Sequence, residues 1–359
     1  MKFGLTQFIV CVTALLLINC SMAKTQTGKS LNICTDYPHA WPESIDTDAT
    51  GNIYFTYADE GTLYRIKRED ENSLAKKEEL LLKDFKRASG ISIDPASQVL
   101  YMGVVIRWQG KIKYKILGIP LDIFNICQAF PYSYSGLKEC AEMNKNEIVE
   151  SSIPKAPNGV IFNSKLQSAF YTYARLGPLG YIFRLKGHIG KTTVKAESEV
   201  KIIQEMRSPN GIDLYQKDSE TILAVASTLD HEVKLMRILE DKTEHILTIS
   251  VKMSNGKYPD GLTYLENGDI LLAVFSSGQI LYLPKDGNKY LEPYTLVEGL
   301  GHPTDLVVWP SCKNGPRSIF VTTKETWFNT NKSAAKGKVV EIQDIDKLIE
   351  EKKVQIRKK

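Results

Sequence analysis

Pro157-Asn158-Gly159, Pro209-Asn210-Gly211 and Pro259-Asp260-Gly261 place a short oxygen-bearing side chain at the same point of three successive repeats, each just before an apolar run. Residues 42–44 (Pro-Glu-Ser), 88–90 (Ala-Ser-Gly) and 303–305 (Pro-Thr-Asp) extend the register both ways, ahead of runs such as ISID and LVVW. With Glu43, Ser89, Asn158, Asn210, Asp260 and Thr304 as equivalents, the spacings are 46, 69, 52, 50 and 44 residues. Six units of about 40–50 residues have the length of propeller blades, and the one long interval marks an insertion.

Each unit follows the same grammar of strand, turn, strand, turn, strand. The first runs SIDTD, a turn over residues 49–52, IYFTYA, the turn Asp59-Glu60-Gly61, and TLYRIKR. The order returns in GISIDPASQVLYMGVV with KIKYKI, in GVIFNSKLQSAFYTYA with YIFRLKG, and in GIDLYQKDSETILAVAS with VKLMRIL. GLTYLENGDILLAVFSSGQILYLPKDG and the final LVVW, SIFVTTK and KVVEIQDI complete it. These are alternating or β-rich runs broken by Gly, Asn, Asp and Ser. A single open sheet of this many strands would leave long edges, whereas radial repetition covers each sheet face with its neighbours. The expected fold is therefore all-β: a six-bladed β-propeller of mostly four-stranded antiparallel blades, one domain over residues 24–359 with an insertion at about 121–153. Residues 70–86 and 342–352 are expected to form short amphipathic helices at the surface, and the insertion, with Phe130, Tyr132 and Tyr134, to cap one mouth. Trp108, Tyr171 and Phe275 are further candidates for the mouth wall.

Residues 1–23 have the form of a sorting signal: Lys2, an apolar run from Phe8 to Ile18, then Ser21-Met22-Ala23. Nothing else approaches a membrane span, so stable insertion is not expected. Removing the segment takes one basic residue from a formal charge of +4, too small an excess to mark a nucleic-acid surface. Lys76-Lys77 and the basic residues from Lys83 to Arg87 are expected on solvated surface between blades. Cys34, Cys127, Cys140 and Cys312 remain, with three possible pairings. In an exported chain an even count favours disulfides. The preferred set is Cys127 with Cys140, pinning the insertion, and Cys34 with Cys312, clasping the start of the chain to the last blade. Asn331-Lys332-Ser333 is a glycosylation sequon, giving a secreted glycoprotein in a eukaryotic host and a periplasmic protein in a bacterium.

Because each blade starts its innermost strand at the same end of the central channel, Glu43, Asn158, Asn210 and Asp260 converge on the axis. Taken singly, Pro-Asn-Gly and Pro-Asp-Gly are ordinary turn formers, Asn and Asp bonding the local backbone and Gly supplying positive φ. Three in register, with Glu43 in a fourth unit, form instead a ring of hard oxygen donors. Two carboxylates and two amide oxygens suit Ca2+, one per chain, which takes roughly 6–8 oxygens in irregular geometry; Mg2+ demands a stricter octahedron. Asp260, touching both metal and substrate, is the expected general base or nucleophile. His302, in Gly301-His302-Pro303, is the second catalytic candidate, orienting substrate or carrying a proton.

The Pro-Asn-Gly, Pro-Asn-Gly and Pro-Asp-Gly elements preceded by Pro42-Glu43 resemble the SMP-30/gluconolactonase/regucalcin family of calcium-dependent six-bladed propeller hydrolases. The resemblance covers nearly all of residues 24–359. It implies calcium held by Glu43, Asn158, Asn210 and Asp260, a catalytic role for Asp260, and hydrolysis of lactones, with organophosphate triesters cleaved by related propellers. Two positions depart from the family. Sugar-lactone members often carry an arginine where this chain has Ala156, so a substrate less polar than a sugar lactone is expected. Relatives with a second, buried calcium use a histidine matching His302 and an acid where this chain has Thr263, which argues against a second metal. A non-catalytic secreted calcium-binding propeller recognising a protein or small apolar ligand is the main alternative. Strictosidine synthase-like propellers share the blade plan but need no metal, and the four-ligand set argues against them.

Overall fold

The computed structural model describes residues 32–37, 41–70, 73–74, 78–128, 133–174, 180–186, 198–217, 220–238, 246–254, 256–287, 289–309, 317–325 and 337–357. Six four-stranded antiparallel sheets follow one another as the blades of a propeller. The first five each use four strands in chain order, beginning with the inner strands Pro42–Thr47 and Arg87–Asp94, then Val160–Asn163, Pro209–Lys217 and Pro259–Tyr264; in the first and fifth a small two-stranded ladder precedes the fourth strand. The last blade breaks that rule. It runs outward through His302–Trp309, Ser318–Lys324 and Gly337–Ile342, and its outermost strand is Asn32–Tyr37 from the start of the chain. The ring is thus closed by sheet pairing between the two ends of the described chain.

Packing closes it as well. Among the described residues six buried apolar clusters form, each shared by two adjacent blades. The cluster across the closing seam joins Ile45, Phe55 and Tyr64 of the first blade to Trp309, Phe320 and Val339 of the last. The Trp309 indole donates to the Gly51 carbonyl at 2.8 Å, and the Arg68 guanidinium lies 4.7 Å from the same ring. A blade's fully apolar middle strands, such as Ile270–Val274, have neighbours on both faces, which is why they read as continuous rather than alternating runs.

The register tripeptides are bulges. In five blades the pairing of the inner strand with the second slips at this point: Pro42 to Ile45, Ala88 to Ile91, Pro209 to Ile212, Pro259 to Leu262, and Pro303 to Asp305. In the third, pairing begins at Val160, directly after Pro157-Asn158-Gly159. A bulge leaves a residue out of the ladder and re-aims its side chain. Here it turns the middle residue toward the axis. Gly90, Gly159, Gly211 and Gly261 do not have positive φ, contrary to the turn expectation. They are needed for close approach: a Cβ on Gly159 would sit 2.6 Å from the Asn210 carbonyl oxygen of the next blade, and one on Gly211 would collide with Asp260 and Gly261.

Two local expectations are corrected. Residues 70–86 hold no helix among those described; Glu79–Leu82 is the fourth strand of the first blade, because its apolar residues complete a sheet that would otherwise expose Leu63 and Tyr64. The insertion, with helices Ile123–Ile126 and Tyr134–Met143, does not cap the axial mouth. It leaves the second blade at Pro120, which pairs with Val99, and Val99 faces Asp94 at the far end of the inner strand. Leu121, Phe124 and Leu137 then fill the wedge beside Leu81, Leu82 and Phe85 on the rim. Cys127 and Cys140 form the expected disulfide there, with Cα atoms 6.0 Å apart. The expected C-terminal helix is present as Ile345–Arg357. Residues 1–23, Phe130, Tyr132, Cys312 and the Asn331 sequon, and hence the Cys34–Cys312 pairing, lie outside the described residues. Among the described residues no helix is long and apolar enough to cross a membrane.

Candidate axial site

Glu43, Asn158, Asn210 and Asp260 line a single cleft on the propeller axis, together with Thr304 and Asp305. All four sequence candidates for metal binding are thus brought together from the first, third, fourth and fifth blades. The other two register positions have a different task. The Ser89 hydroxyl is buried and lies 2.8 Å from the Pro157 carbonyl oxygen, and that of Thr304 lies 2.8 Å from the Pro42 oxygen. These hydroxyls stitch consecutive inner strands, and those of Thr172 and Thr228, at the ends of second strands, reach the Asn210 and Pro259 oxygens of the next blade at 2.6 and 2.8 Å.

The Asn158 amide nitrogen donates to the Asn210 side-chain oxygen. Each amide keeps acceptor capacity, Asn158 through its own oxygen and Asn210 through a second lone pair. Desolvation, then the nearby Glu43 charge, pushes the Asp260 carboxyl well above the usual range. Two acids that crowd each other across a cleft gain from a shared cation, so the donor set fits the calcium that the sequence implies. The match is one of chemistry. Among the described residues no group of three or more His, Cys, Asp or Glu forms, and half of the set is amide.

Two cations stand beside these acids, and sequence reasoning missed both. The Arg87 guanidinium lies 3.2 Å from Glu43 Oε1, so this residue is not part of a featureless solvated run. Lys324, the last residue of SIFVTTK, places its ammonium 3.9 Å from Glu43 Oε2. Burial pulls the Lys324 amine down to about 8, against the opposing pull of Glu43 and Asp260. Its nitrogen sits 3.2 Å from the Trp41 ring centroid and 4.9 Å from that of Phe275. The available signal was positional. Lys324 ends the second strand opposite His302, just as Phe275 and Thr228 end theirs opposite Tyr258 and Ser208.

His302 borders the cleft rather than lining it. Its ring packs at a tilt of 32° against Phe275 with centroids 5.0 Å apart, and Nδ1 lies 2.8 Å from the Phe275 carbonyl oxygen. The carbonyl accepts only, so Nδ1 carries the hydrogen in this contact. His231 makes the reverse contact between the fourth and fifth blades, from the end of a second strand to the lead of the next inner strand, with Nδ1 2.9 Å from the Lys257 oxygen and its ring 4.8 Å from Tyr258. Of the other aromatics suggested for the mouth, Phe275 is there. Tyr171 is fully buried against Phe183, Tyr134 packs on Phe85 at the rim, and Trp108 is exposed on a hairpin of the second blade.

Deeper along the axis, Asp46, Asp213 and Asp305 form a second acidic layer near enough to repel one another. Each accepts backbone N–H groups that bind the inner strands together: Ile93 to Asp46 at 2.6 Å, Tyr264 to Asp213 at 2.7 Å, and Ile45 to Asp305 at 3.2 Å. Desolvation raises Asp46 to about 7, Asp213 to about 6 and Asp305 to about 7 from 3.8. A folded-state pKa above the unfolded one means that the folded chain binds the proton more tightly, so this contribution is full below about 4 and is lost as pH rises toward 7. The difference in unfolding free energy between wild type and Asp46→Asn should therefore fall between about pH 4 and 7 and flatten above that. Urea melts across this range test it, and a constant difference would refute the raised pKa.

No protein-family model and no curated protein sequence matches the chain. Solved structures do match. A regucalcin described as a calcium-binding protein, from Agrobacterium tumefaciens strain C58, aligns with TM-score 0.57 and 11% identity over 88% of this chain and 95% of its own. A luciferin-regenerating enzyme gives TM-score 0.56 and 14% identity over 85% and 91%. A putative gluconolactonase gives 0.53 and 13% over 89% and 94%. At such identities the likeness establishes the fold, and two of the three carry names of the family whose tripeptides the sequence resembles.

Proposed function

We propose that this chain is a calcium-dependent hydrolase of a lactone or related ester, acting at the mouth of the propeller axis. The observation that carries the proposal is the convergence of Glu43, Asn158, Asn210 and Asp260 on one cleft. Likeness to a putative gluconolactonase and a calcium-binding regucalcin supports the reaction class and the metal. Glu43, Asn158, Asn210 and Asp260 would hold the ion. Calcium bound there supplies Lewis-acid polarisation of the ester carbonyl. Asp260, a carboxylate at the cleft, takes the proton of the attacking water or attacks directly. His302, its ring held by the Phe275 carbonyl at the rim, relays the proton given up by that water to the alkoxide that leaves as the acyl C–O bond breaks. Trp41 and Phe275 give the entrance an apolar wall, consistent with a substrate less polar than a sugar lactone.

The setting belongs to the same proposal: residues 1–23 are removed as a sorting signal, residues 24–359 form one exported domain, and Cys34 pairs with Cys312. The Cys127–Cys140 disulfide supports an oxidising compartment. The test is the metal content of the purified chain, coupled to turnover of aliphatic, aromatic and sugar lactones and an aryl phosphotriester, before and after chelation. About one calcium per chain with chelator-sensitive turnover supports the reading. Calcium without turnover would favour the binding propeller, and activity confined to the phosphotriester would favour the organophosphate alternative. Asn210→Ala should weaken calcium binding by about tenfold or more and lower the calcium-loaded melting temperature, since a ligand lost from the folded state reduces ligand-linked stability. Unchanged affinity by calorimetry would remove Asn210 from the ligand set.

A further inference from the structure

We infer that Lys324 is the resident counter-ion of the axial carboxylates, and that a divalent cation must compete with it for Glu43 and Asp260. The inference rests on the calcium reading and adds the residue that sets the affinity of that site. The lysine side chain is 7% exposed, with its ammonium 3.9 Å from Glu43 Oε2. A charge so covered needs balance within the protein. It finds that balance in the acids and in two ring faces, Trp41 at 3.2 Å and Phe275 at 4.9 Å. Trp41 is the roof over the ammonium, held by its backbone N–H to Asp59 Oδ1 at 3.0 Å.

Glu43 and Asp260 already face two basic groups, Lys324 and Arg87, before any ion enters. A dication brought to the same acids is repelled by both. The two basic residues answer this differently. Arg87 is 47% exposed, so solvent screens it and its side chain has room to swing away. Lys324 is enclosed by Trp41 and Phe275 and can leave Glu43 only by moving the roof. Most of the electrostatic penalty on the metal therefore comes from Lys324. Without this lysine, the same four oxygen-bearing ligands would hold calcium more tightly.

Calorimetric titration of calcium into the chelator-stripped full chain tests this. Lys324→Met keeps the apolar stem between the two rings and removes the charge. It should bind calcium at least about tenfold tighter than wild type, about 1.4 kcal/mol. Lys324→Arg should stay near wild type, and Arg87→Met should change affinity by less than about threefold, as expected of a solvent-screened charge. A merely structural lysine would alter the melting temperature of the stripped chain and leave calcium affinity unmoved. Equal or weaker binding by Lys324→Met, with wild type binding calcium, overturns the inference and leaves the calcium reading standing. Binding by the variant alone upholds the inference and removes calcium dependence from the wild-type chain. Absence of binding in both overturns the two together. Should Lys324→Met fail to fold, Lys324→Gln serves the same comparison.

Discussion

Asp260→Asn should lower chelator-sensitive ester turnover by about three orders of magnitude, within the range of 10²–10⁴ for loss of a positioned general base. The amide is nearly isosteric and keeps one oxygen for the ion, but it cannot accept a proton from water or form an acyl bond. Two effects are mixed in such a substitution, because Asp260 is proposed both to hold calcium and to act on substrate. They separate when turnover is measured at calcium concentrations well above the dissociation constant of each variant. A loss confined to kcat at saturating calcium identifies the reacting group, whereas a loss restored by excess calcium identifies a ligand only. The stripped variant should be no less stable than wild type, since burial and Glu43 already raise the Asp260 carboxyl and a neutral amide ends that conflict. Full turnover by Asp260→Asn would reject its catalytic assignment even with calcium bound.

The blade plan was legible because its signals repeat. One Pro-Asn-Gly is a turn, but Glu43, Asn158, Asn210 and Asp260 at blade spacing could only meet on an axis, and they line one cleft. What repetition could not show was why glycine follows the ligand. Gly159 and Gly211 give way to the next inner strand, a contact between residues about 50 apart in sequence that no local pattern encodes. The cations were hidden for a similar reason. Arg87 sits in a basic run and Lys324 ends an ordinary strand, and each gains its meaning from Glu43 in the first blade. Pattern reading failed at Glu79–Leu82, where a helix-like stretch is recruited as an outer strand, since sheet completion outweighs local preference. The insertion misled through its aromatics. Tyr134 suggested a mouth, but it packs on Phe85 in the wedge between the first two blades.

Deleting residues 24–37 should destabilise the propeller on the order of 3 kcal/mol or more, taking about 0.5–1.5 kcal/mol net for each lost ladder hydrogen bond. Asn32–Tyr37 pairs with Gly337–Ile342 at five positions, from Asn32 opposite Glu341 to Tyr37 opposite Gly337. Removing it strips the last blade to three strands and bares the edge at Val339 and Val340, both buried in the complete ring. The consequence is not confined to one blade. Trp41 comes four residues after this strand, and Thr304 reaches across to the Pro42 oxygen, so the clasp adjoins the seam from which Glu43 enters the axial cleft. A shortened chain should therefore melt lower, associate through the exposed edge in size-exclusion chromatography, and bind calcium less tightly although no ligand has been removed. A cut after Ala23 leaves the clasp strand whole. Comparing chains that begin at residues 24 and 38 by thermal melting, with and without calcium, separates a clasp from a mere extension. Equal melting temperatures would mean that the apolar seam among Ile45, Phe55, Trp309 and Phe320 closes the ring without the strand.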